Sequence, residues 1–221
     1  SLNYGVRKAK NPIVVSVHQD CIASSDDWLQ KLVEPLKDKN VVATVSKVEL
    51  PFDFWNKLDP IAKILSVKEQ DIITSLLDEK GCAYRKKDLL KVKLFDNKNF
   101  RTAGEDFDMY FKLRKLGKIE YPDAKVIHYH KYTWKNRFKK ELQLSNAFGA
   151  LFRIYDSSMT RWYLGLIKSI PFLGYPLFLI TMRPKKLGFF LSLLALPIYL
   201  YVNFIYSYGF WKGFIMGKET V

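Results

Sequence analysis

The sequence predicts an α/β fold followed by membrane-associated helices. Two mostly apolar runs of strand length, Ile13–Val17 and Val41–Val48, enclose a stretch with helical spacing, and the order strand, helix, strand is typical of a parallel crossover unit. A third observation concerns the C-terminal end of the chain. From Leu187 to Trp211 there are 25 residues without a charge, and a helix of that length can cross the hydrocarbon layer of a membrane.

The first strand positions the expected ligand site. Ile13–Val17 is typical of a central strand that helices cover on both faces. The helix after it is expected to begin at Ser24 or Ser25, whose hydroxyls can cap the first turn, and to bury Trp28 and Leu32. Open α/β sheets bind ligands at the carboxyl ends of their strands, so we expect a site directly after this strand.

Later elements are expected at three places. Residues 51–80 predict one or two short helices, and residues 81–90 predict a short strand that runs into a helix near Lys86. Residues 101–130 predict a helix and a returning strand. Gly117 is expected to end that helix in the left-handed conformation.

Two further segments lead to the uncharged run. Residues 133–156 predict a long basic amphipathic helix, whose bases include Lys135, Arg137, Lys139, Lys140 and Arg153. The stretch from Trp162 to Met182 is nearly as apolar as the uncharged run but contains Lys168 and two prolines. The sequence leaves open whether this stretch spans the membrane or lies in its interface.

The charge balance predicts an anionic partner. Lys and Arg outnumber Asp and Glu by 36 to 22, which gives a net charge of +14. Much of the basic charge flanks the apolar tail and no nucleic-acid-binding motif is recognisable, so we expect anionic lipid and no nucleic acid. Cys21 and Cys82 lie 61 positions apart, without metal-ligand spacing, and no signal-peptide pattern is recognisable in this sequence, so we expect a reduced, cytosol-facing compartment.

Polar side chains follow two of the expected strands. His18 and Asp20 come after the first strand, and His128 and His130 lie at the end of the last one. Asp20 either starts a turn or binds a divalent ion, because a carboxylate suits Mg²⁺ or Mn²⁺. The histidines either form a polar rim or ligate that ion. All three histidines of the chain occur at these strand ends, which favours a metal site.

An acidic cluster begins the helix predicted within residues 101–130. Glu105, Asp106 and Asp108 lie within four residues of one another. Residues 102–105, with the sequence TAGE, fit a capping box, in which these acids only stabilise the helix. The alternative is catalytic, because a carboxylate placed here can accept the proton of a sugar hydroxyl.

Three stretches carry a family resemblance: "LNYGVRKAKNPIVVSVHQDCIASSDDWLQKLVEPL", "GCAYRKKDLLKV" and "TAGEDFDMYFKLRKLGKIEYPDAKVIHYH". In this order the chain resembles the family 2 glycosyltransferases over about residues 1–155. The resemblance implies a partial nucleotide-diphospho-sugar transferase fold of the GT-A type, a mixed sheet flanked by helices. Family members begin with nucleotide-binding strands, and we expect those strands to be missing from this sequence.

The resemblance implies roles for the polar residues at the strand ends. Asp20 matches the last residue of the family's Asp-x-Asp motif, which holds Mn²⁺ or Mg²⁺ on the donor diphosphate. His18 and Gln19 replace the first two residues of that motif and are expected to contact the donor. His128 matches a further metal ligand found in several relatives, with His130 as the fallback.

The resemblance also implies a catalytic pair and a donor-sugar pocket. Glu105 and Asp106 match the family's acidic pair, with Asp106 as the base that deprotonates the acceptor hydroxyl. The donor-sugar pocket corresponds to Gly81, Cys82, Ala83 and the following Arg85.

The implied protein is a membrane-associated, inverting glycosyltransferase. We expect a catalytic domain at residues 1–132 on the cytoplasmic face, a basic helical region at 133–160 and membrane-associated helices at 161–221. The donor is a nucleotide-diphospho-sugar, and the expected acceptor is a lipid-linked glycan or lipid phosphate. A non-catalytic, membrane-anchored scaffold with a degenerate site is the alternative.

Overall fold

The computed structural model describes residues 2–70, 73–74, 76–77, 79–129, 133–155, 162–181 and 187–221. They form two compact units. The sheet unit consists of Ser1–Phe52, Asp71–Asn97 and Glu105–His130. The helical unit consists of Asp53–Gln70, Lys98–Gly104 and Lys131–Val221.

The elements alternate between short strands and helices in the first part of the chain. The strands are β1 (Ile13–Ser16), β2 (Cys21–Ala23), β3 (Val41–Val45), β4 (Lys47–Glu49), β5 (Ile73–Thr74), β6 (Cys82–Arg85), β7 (Lys118–Glu120) and β8 (Lys125–His128). The α-helices are α1 (Leu2–Lys8), α2 (Trp28–Val33), α3 (Phe52–Asn56), α4 (Pro60–Ser66), α5 (Lys86–Lys91), α6 (Glu105–Leu113), α7 (Trp134–Tyr155), α8 (Trp162–Lys168), α9 (Tyr175–Thr181) and α10 (Phe189–Met216). Glu34–Lys37 and Val67–Gln70 form 3₁₀ helices.

The sheet unit contains two mixed four-stranded sheets, so the predicted α/β class is confirmed. Their strand orders are β1-β6-β3-β7 and β2-β8-β4-β5. Strands β1 and β3 both run antiparallel to β6, which lies between them. The two strands therefore share a direction, as the crossover predicts, but they are not neighbours. The sequence gives no sign that β6, much later in the chain, inserts between them.

Strand β1 differs from its prediction as a fully covered central strand. It is an edge strand among the residues that the structure describes, and Ile13, Val14 and Val15 are only half-buried. A cavity of about 400 Å³ lies along β1 and α1. An apolar strand is therefore not evidence of a central position, because partial cover from one helix is enough to explain these side chains.

The run Val41–Val48 forms two strands instead of one. Ser46 ends β3, and β4 continues in the second sheet. The backbone N–H of Ser46 donates to Gly81 O at 2.7 Å, and the Trp28 indole donates to the buried Ser46 hydroxyl at 2.9 Å. These long-range bonds redirect the chain from one sheet to the other, and the local apolar pattern does not reveal them.

Helix α2 begins later than predicted. Asp27, not Ser24 or Ser25, occupies the N-cap position, and the Ser25 hydroxyl donates to the Asp27 carboxylate at 2.6 Å. The pKa of Asp27 is lowered, because Lys31 and Ser25 both donate hydrogen bonds to its carboxylate. Trp28 is buried as predicted.

The glycines before and after α6, Gly104 and Gly117, have different structural roles. Gly104 has φ +94°, so residues before Glu105 are not helical and the predicted capping box is wrong. Gly117 is not in the left-handed conformation predicted for it. A Cβ at Gly117 would lie 2.4 Å from Asn40 O, so this glycine permits close packing against the backbone instead of ending the helix.

The helical unit is built around the contact between α7 and α10. The predicted basic helix is confirmed as α7, although Arg137 and Glu141 on it are buried. Gly209 and Gly213 form a GxxxG pattern on α10 that faces α7, where Gly149 lies. Small residues at this spacing allow two helix backbones to approach closely.

Replacing Gly213 by Ala is expected to destabilise the helical unit. The new Cβ would lie 1.8 Å from Asn146 O, which is backbone and cannot rotate away. We expect a loss of about 3 kcal/mol in the free energy of unfolding, the upper end for overpacking. Gly165→Ala is the matched control, because nothing lies within 4 Å of that position. Denaturant unfolding in detergent, followed by circular dichroism, measures both; equal stabilities would contradict the expectation.

The C-terminal part contains one helix long and apolar enough to cross a membrane, among the residues that the structure describes. This helix is α10, with 28 residues. The preceding apolar stretch instead forms two helices of seven residues each, α8 and α9. A seven-residue helix is about 10 Å long, too short to span the hydrocarbon layer.

Candidate metal and catalytic site

The pairing of β2 with β8 brings the first polar residues together. These strands are antiparallel, and Cys21 lies directly opposite His128 in the register. Directly opposed residues project from the same face of an antiparallel pair, with Cβ atoms about 4.5–5.5 Å apart. The backbone N–H of Tyr129 donates to Asp20 O at 2.8 Å, so the register extends to Asp20.

Asp20 lies at the centre of this cluster. Its Oδ2 atom is 3.3 Å from His128 Nε2, and its Oδ1 atom is 4.0 Å from Cys21 Sγ. The side chain of His128 is 9% exposed and that of Asp20 is 29% exposed. Asp20 and His128 thus lie together as a shared ion requires, and Asp20 remains accessible to a ligand. His130 lies outside the described residues.

His18 and Gln19 lie in the turn between β1 and β2. His18 Nδ1 is 4.0 Å from Asp20 Oδ1, and its side chain is 47% exposed. Gln19 is exposed beside it. The two residues predicted to contact the nucleotide-sugar, His18 and Gln19, are therefore exposed to solvent beside Asp20. His18 and Cys21 approach the same atom, Asp20 Oδ1.

The acidic cluster lies in the first turn of α6. The Asp106 carboxylate accepts a hydrogen bond from the Phe107 backbone N–H at 2.8 Å. Asp108 is buried and pairs with Lys112 at 2.5 Å, which indicates a structural role. Glu105 Oε2 is buried without a hydrogen-bond partner among the described residues. A buried carboxylate oxygen without a hydrogen bond is uncommon, which distinguishes Glu105 from the paired Asp108.

The predicted donor-sugar strand is part of the core. Cys82 and Ala83 on β6 are fully buried, and they belong to two different hydrophobic clusters. The Arg85 guanidinium donates to Val41 O at 2.8 Å, to Asp38 O at 2.7 Å and to Leu36 O. Any contact of Cys82 or Ala83 with a donor would therefore have to come from the backbone.

The donors around Asp20 fit a divalent ion. Carboxylate suits Mg²⁺ and Mn²⁺, imidazole suits later transition metals such as Zn²⁺, and the ligand atoms of Asp20, Cys21 and His128 all lie within 4.8 Å of one another. They are the one metal-ligating group of this kind among the described residues. Cys21 was not predicted as a ligand, because its partner lies across the sheet and not at a recognisable spacing in the sequence.

The group lies where strands of a mixed α/β sheet end, which is where α/β sheets commonly bind their ligands, and a carboxylate there can hold a divalent ion against a phosphate. Residues 1–96 match the family model described as glycosyl transferase family 2, so the resemblance is confirmed over this part of the chain. The match includes Asp20 and the strand of Cys82, and it ends before Glu105, Asp106 and His128. No curated protein matches the chain significantly. The family indicates glycosyltransferase activity, a nucleotide-sugar donor and a glycan acceptor.

Proposed function

We propose that the protein is a metal-dependent, inverting glycosyltransferase that acts at a membrane. It transfers a sugar from a nucleotide-diphospho-sugar to a hydroxyl of a lipid-linked glycan or lipid phosphate. The observation that carries the proposal is the 3.3 Å approach of His128 to Asp20, because the family match contains only one of these two residues. A site that had lost its activity would have no physical reason to keep Asp20 and His128 in contact. Their approach therefore favours an enzyme over a non-catalytic scaffold.

Each part of the site has a role in the proposed reaction. Asp20 and His128 would hold Mn²⁺ or Mg²⁺, which supplies charge neutralisation for the donor diphosphate. His18 and Gln19 are exposed beside Asp20, and we propose that they form hydrogen bonds with the nucleotide-sugar. Gly81, Cys82 and Ala83 would contribute backbone to the donor-sugar pocket, and Arg85 fixes the end of that strand.

Asp106 is the proposed base. Its carboxylate accepts the proton of the acceptor hydroxyl as the acceptor oxygen bonds to the anomeric carbon and the bond to the diphosphate breaks. One displacement inverts the configuration at that carbon. Glu105, with its unsatisfied buried oxygen, is proposed to orient the acceptor through a hydrogen bond.

Helix α10 supports the membrane part of the proposal. Phe189, Phe190 and Leu193 on this helix are more than half exposed, at 77%, 83% and 59%. Large apolar side chains exposed in this way are costly in water and favourable in lipid. With the net charge of +14, they favour an anionic membrane surface and a lipid-borne acceptor. We place the catalytic part on the cytoplasmic face.

Replacing Asp20 by Asn tests the metal-dependent function. We expect Mn²⁺-dependent binding of a nucleotide-sugar to weaken at least about tenfold, because even an outer-shell partner of a metal contributes that much. Asp26→Asn is the matched control, an exposed carboxylate in the next loop. Calorimetry against a panel of nucleoside-diphosphate sugars, with and without Mn²⁺, measures both.

The wild-type chain gives the decisive result in that experiment. Metal-dependent binding of at least one donor, with release of its nucleoside diphosphate when a lipid phosphate acceptor is present, supports the enzyme. Failure of the wild-type chain to bind any donor in the presence of Mn²⁺ would overturn the proposal in favour of the scaffold.

A further inference from the structure

We infer that Cys21 is the third protein ligand of the metal site, and that its thiolate makes the site select Zn²⁺ or Co²⁺ over Mg²⁺. This inference rests on the metal site of the proposed function. It adds to that site a ligand that the family resemblance does not supply, and it changes the ion that the site prefers.

The geometry provides three converging donors. Asp20 Oδ2 lies 3.3 Å from His128 Nε2, and Asp20 Oδ1 lies 4.0 Å from Cys21 Sγ. Donors that share one zinc ion at about 2.0–2.3 Å lie no more than about 4.6 Å apart. Both separations are within that limit, and all three ligand atoms lie within 4.8 Å of one another, close to what one shared ion requires.

The backbone holds the three donors in place. Cys21 and His128 are paired in an antiparallel register, and the Tyr129 N–H donates to Asp20 O at 2.8 Å. Two of the three ligands, Cys21 and His128, therefore lie on hydrogen-bonded strands, and Asp20 directly precedes β2. Metal sites on such rigid elements keep their geometry better than loop sites do.

The donor chemistry decides the selectivity. A thiolate is a soft ligand that suits Zn²⁺ and Co²⁺, whereas Mg²⁺ requires an octahedral set of oxygens. Three protein donors would leave one ligand position of a tetrahedral ion open, as in catalytic zinc sites, and a diphosphate oxygen would fill it. His18 Nδ1, 4.0 Å from Asp20 Oδ1 and largely in solvent, is assigned outside the ligand set.

Cobalt substitution in the full-length chain in detergent tests the ligand directly. Co²⁺ bound to a thiolate gives a sulfur-to-metal charge-transfer band in the near ultraviolet. We expect this band in the wild-type chain, its loss in Cys21→Ser, and its retention in Cys82→Ala, because Cys82 is fully buried in the core. Circular dichroism checks that each variant is folded.

The metal affinities provide a second measurement. Cys21→Ser is expected to weaken Zn²⁺ binding more than about 100-fold, beyond the cost of losing an outer-shell partner. The affinity for Mn²⁺ should change less than about tenfold, because Mn²⁺ prefers oxygen ligands. His18→Ala should leave the Zn²⁺ affinity within about tenfold of the wild-type value, since outer-shell partners cost 10–100-fold only when they orient a ligand.

The outcomes separate this inference from the proposed function. A wild-type cobalt spectrum without the charge-transfer band, or Zn²⁺ binding that Cys21→Ser does not change, overturns the assignment of Cys21. If donor binding still requires Mn²⁺ in that case, the glycosyltransferase proposal stands. If His18→Ala and Cys21→Ser weaken Zn²⁺ binding equally, His18 is a fourth protein ligand. That result would overturn the assignment of an open ligand position.

Discussion

Replacing Asp106 by Asn is expected to lower the rate of sugar transfer by about 10²–10⁴-fold, the usual contribution of a general base. The amide has nearly the same shape, and its oxygen can still accept the hydrogen bond from the Phe107 N–H. It cannot take a proton from the acceptor hydroxyl. We therefore expect kcat to fall while the affinity for the donor stays the same.

Two further variants make this result specific. Asp123→Asn is the matched control, because Asp123 is an exposed carboxylate that pairs with Lys47. Glu105→Gln should raise KM for the acceptor more than it lowers kcat, since Glu105 is proposed to orient the acceptor. Steady-state kinetics at a saturating concentration of the nucleotide-sugar distinguishes the effects of the two substitutions on kcat and on KM for the acceptor. A larger fall in kcat for Glu105→Gln than for Asp106→Asn would exchange their roles.

Replacing Arg137 by Met is expected to cost about 3–5 kcal/mol of stability, the usual effect of breaking a buried ion pair. Arg137 Nη1 lies 2.9 Å from Glu69 Oε1, and Nη2 lies 3.7 Å from Glu141 Oε1. Nη2 also donates to Leu65 O at 3.1 Å. Met fills a similar volume but leaves two carboxylates without their shared cation, in a part of the helical unit where Glu141 is only 6% exposed.

Lys139→Met on the same helix is the matched control, because Lys139 is exposed. The double variant Arg137→Met with Glu141→Leu should recover part of the loss, since it removes a buried carboxylate for which Lys68 Nζ, at 3.7 Å, is a distant counter-charge. Urea unfolding in detergent measures all three. An Arg137→Met variant as stable as Lys139→Met would show that the buried pairs contribute nothing.

The sequence predicts two residues of the candidate metal site but not how the strands bring them together. The family resemblance pairs Asp20 with His128, and the structure places their side chains 3.3 Å apart. The sequence does not predict that Cys21 lies opposite His128, because only the pairing of β2 with β8 brings them together. The capping box at residues 102–105 was a wrong prediction for a related reason. A tetrapeptide can satisfy a local motif while the backbone at Gly104 adopts a conformation that excludes it.

Local patterns determined what depends on near neighbours in the chain: the basic helix that became α7, the strand entering α5, and the uncharged run that became α10. Tertiary structure decided what depends on distant segments. It inserted β6 between β1 and β3, divided the run at Ser46 between two sheets, and assembled the Asp20, Cys21 and His128 group. The physical reason is that strand register and backbone hydrogen bonds join residues far apart in sequence, whereas periodicity and capping report only the forces within one element.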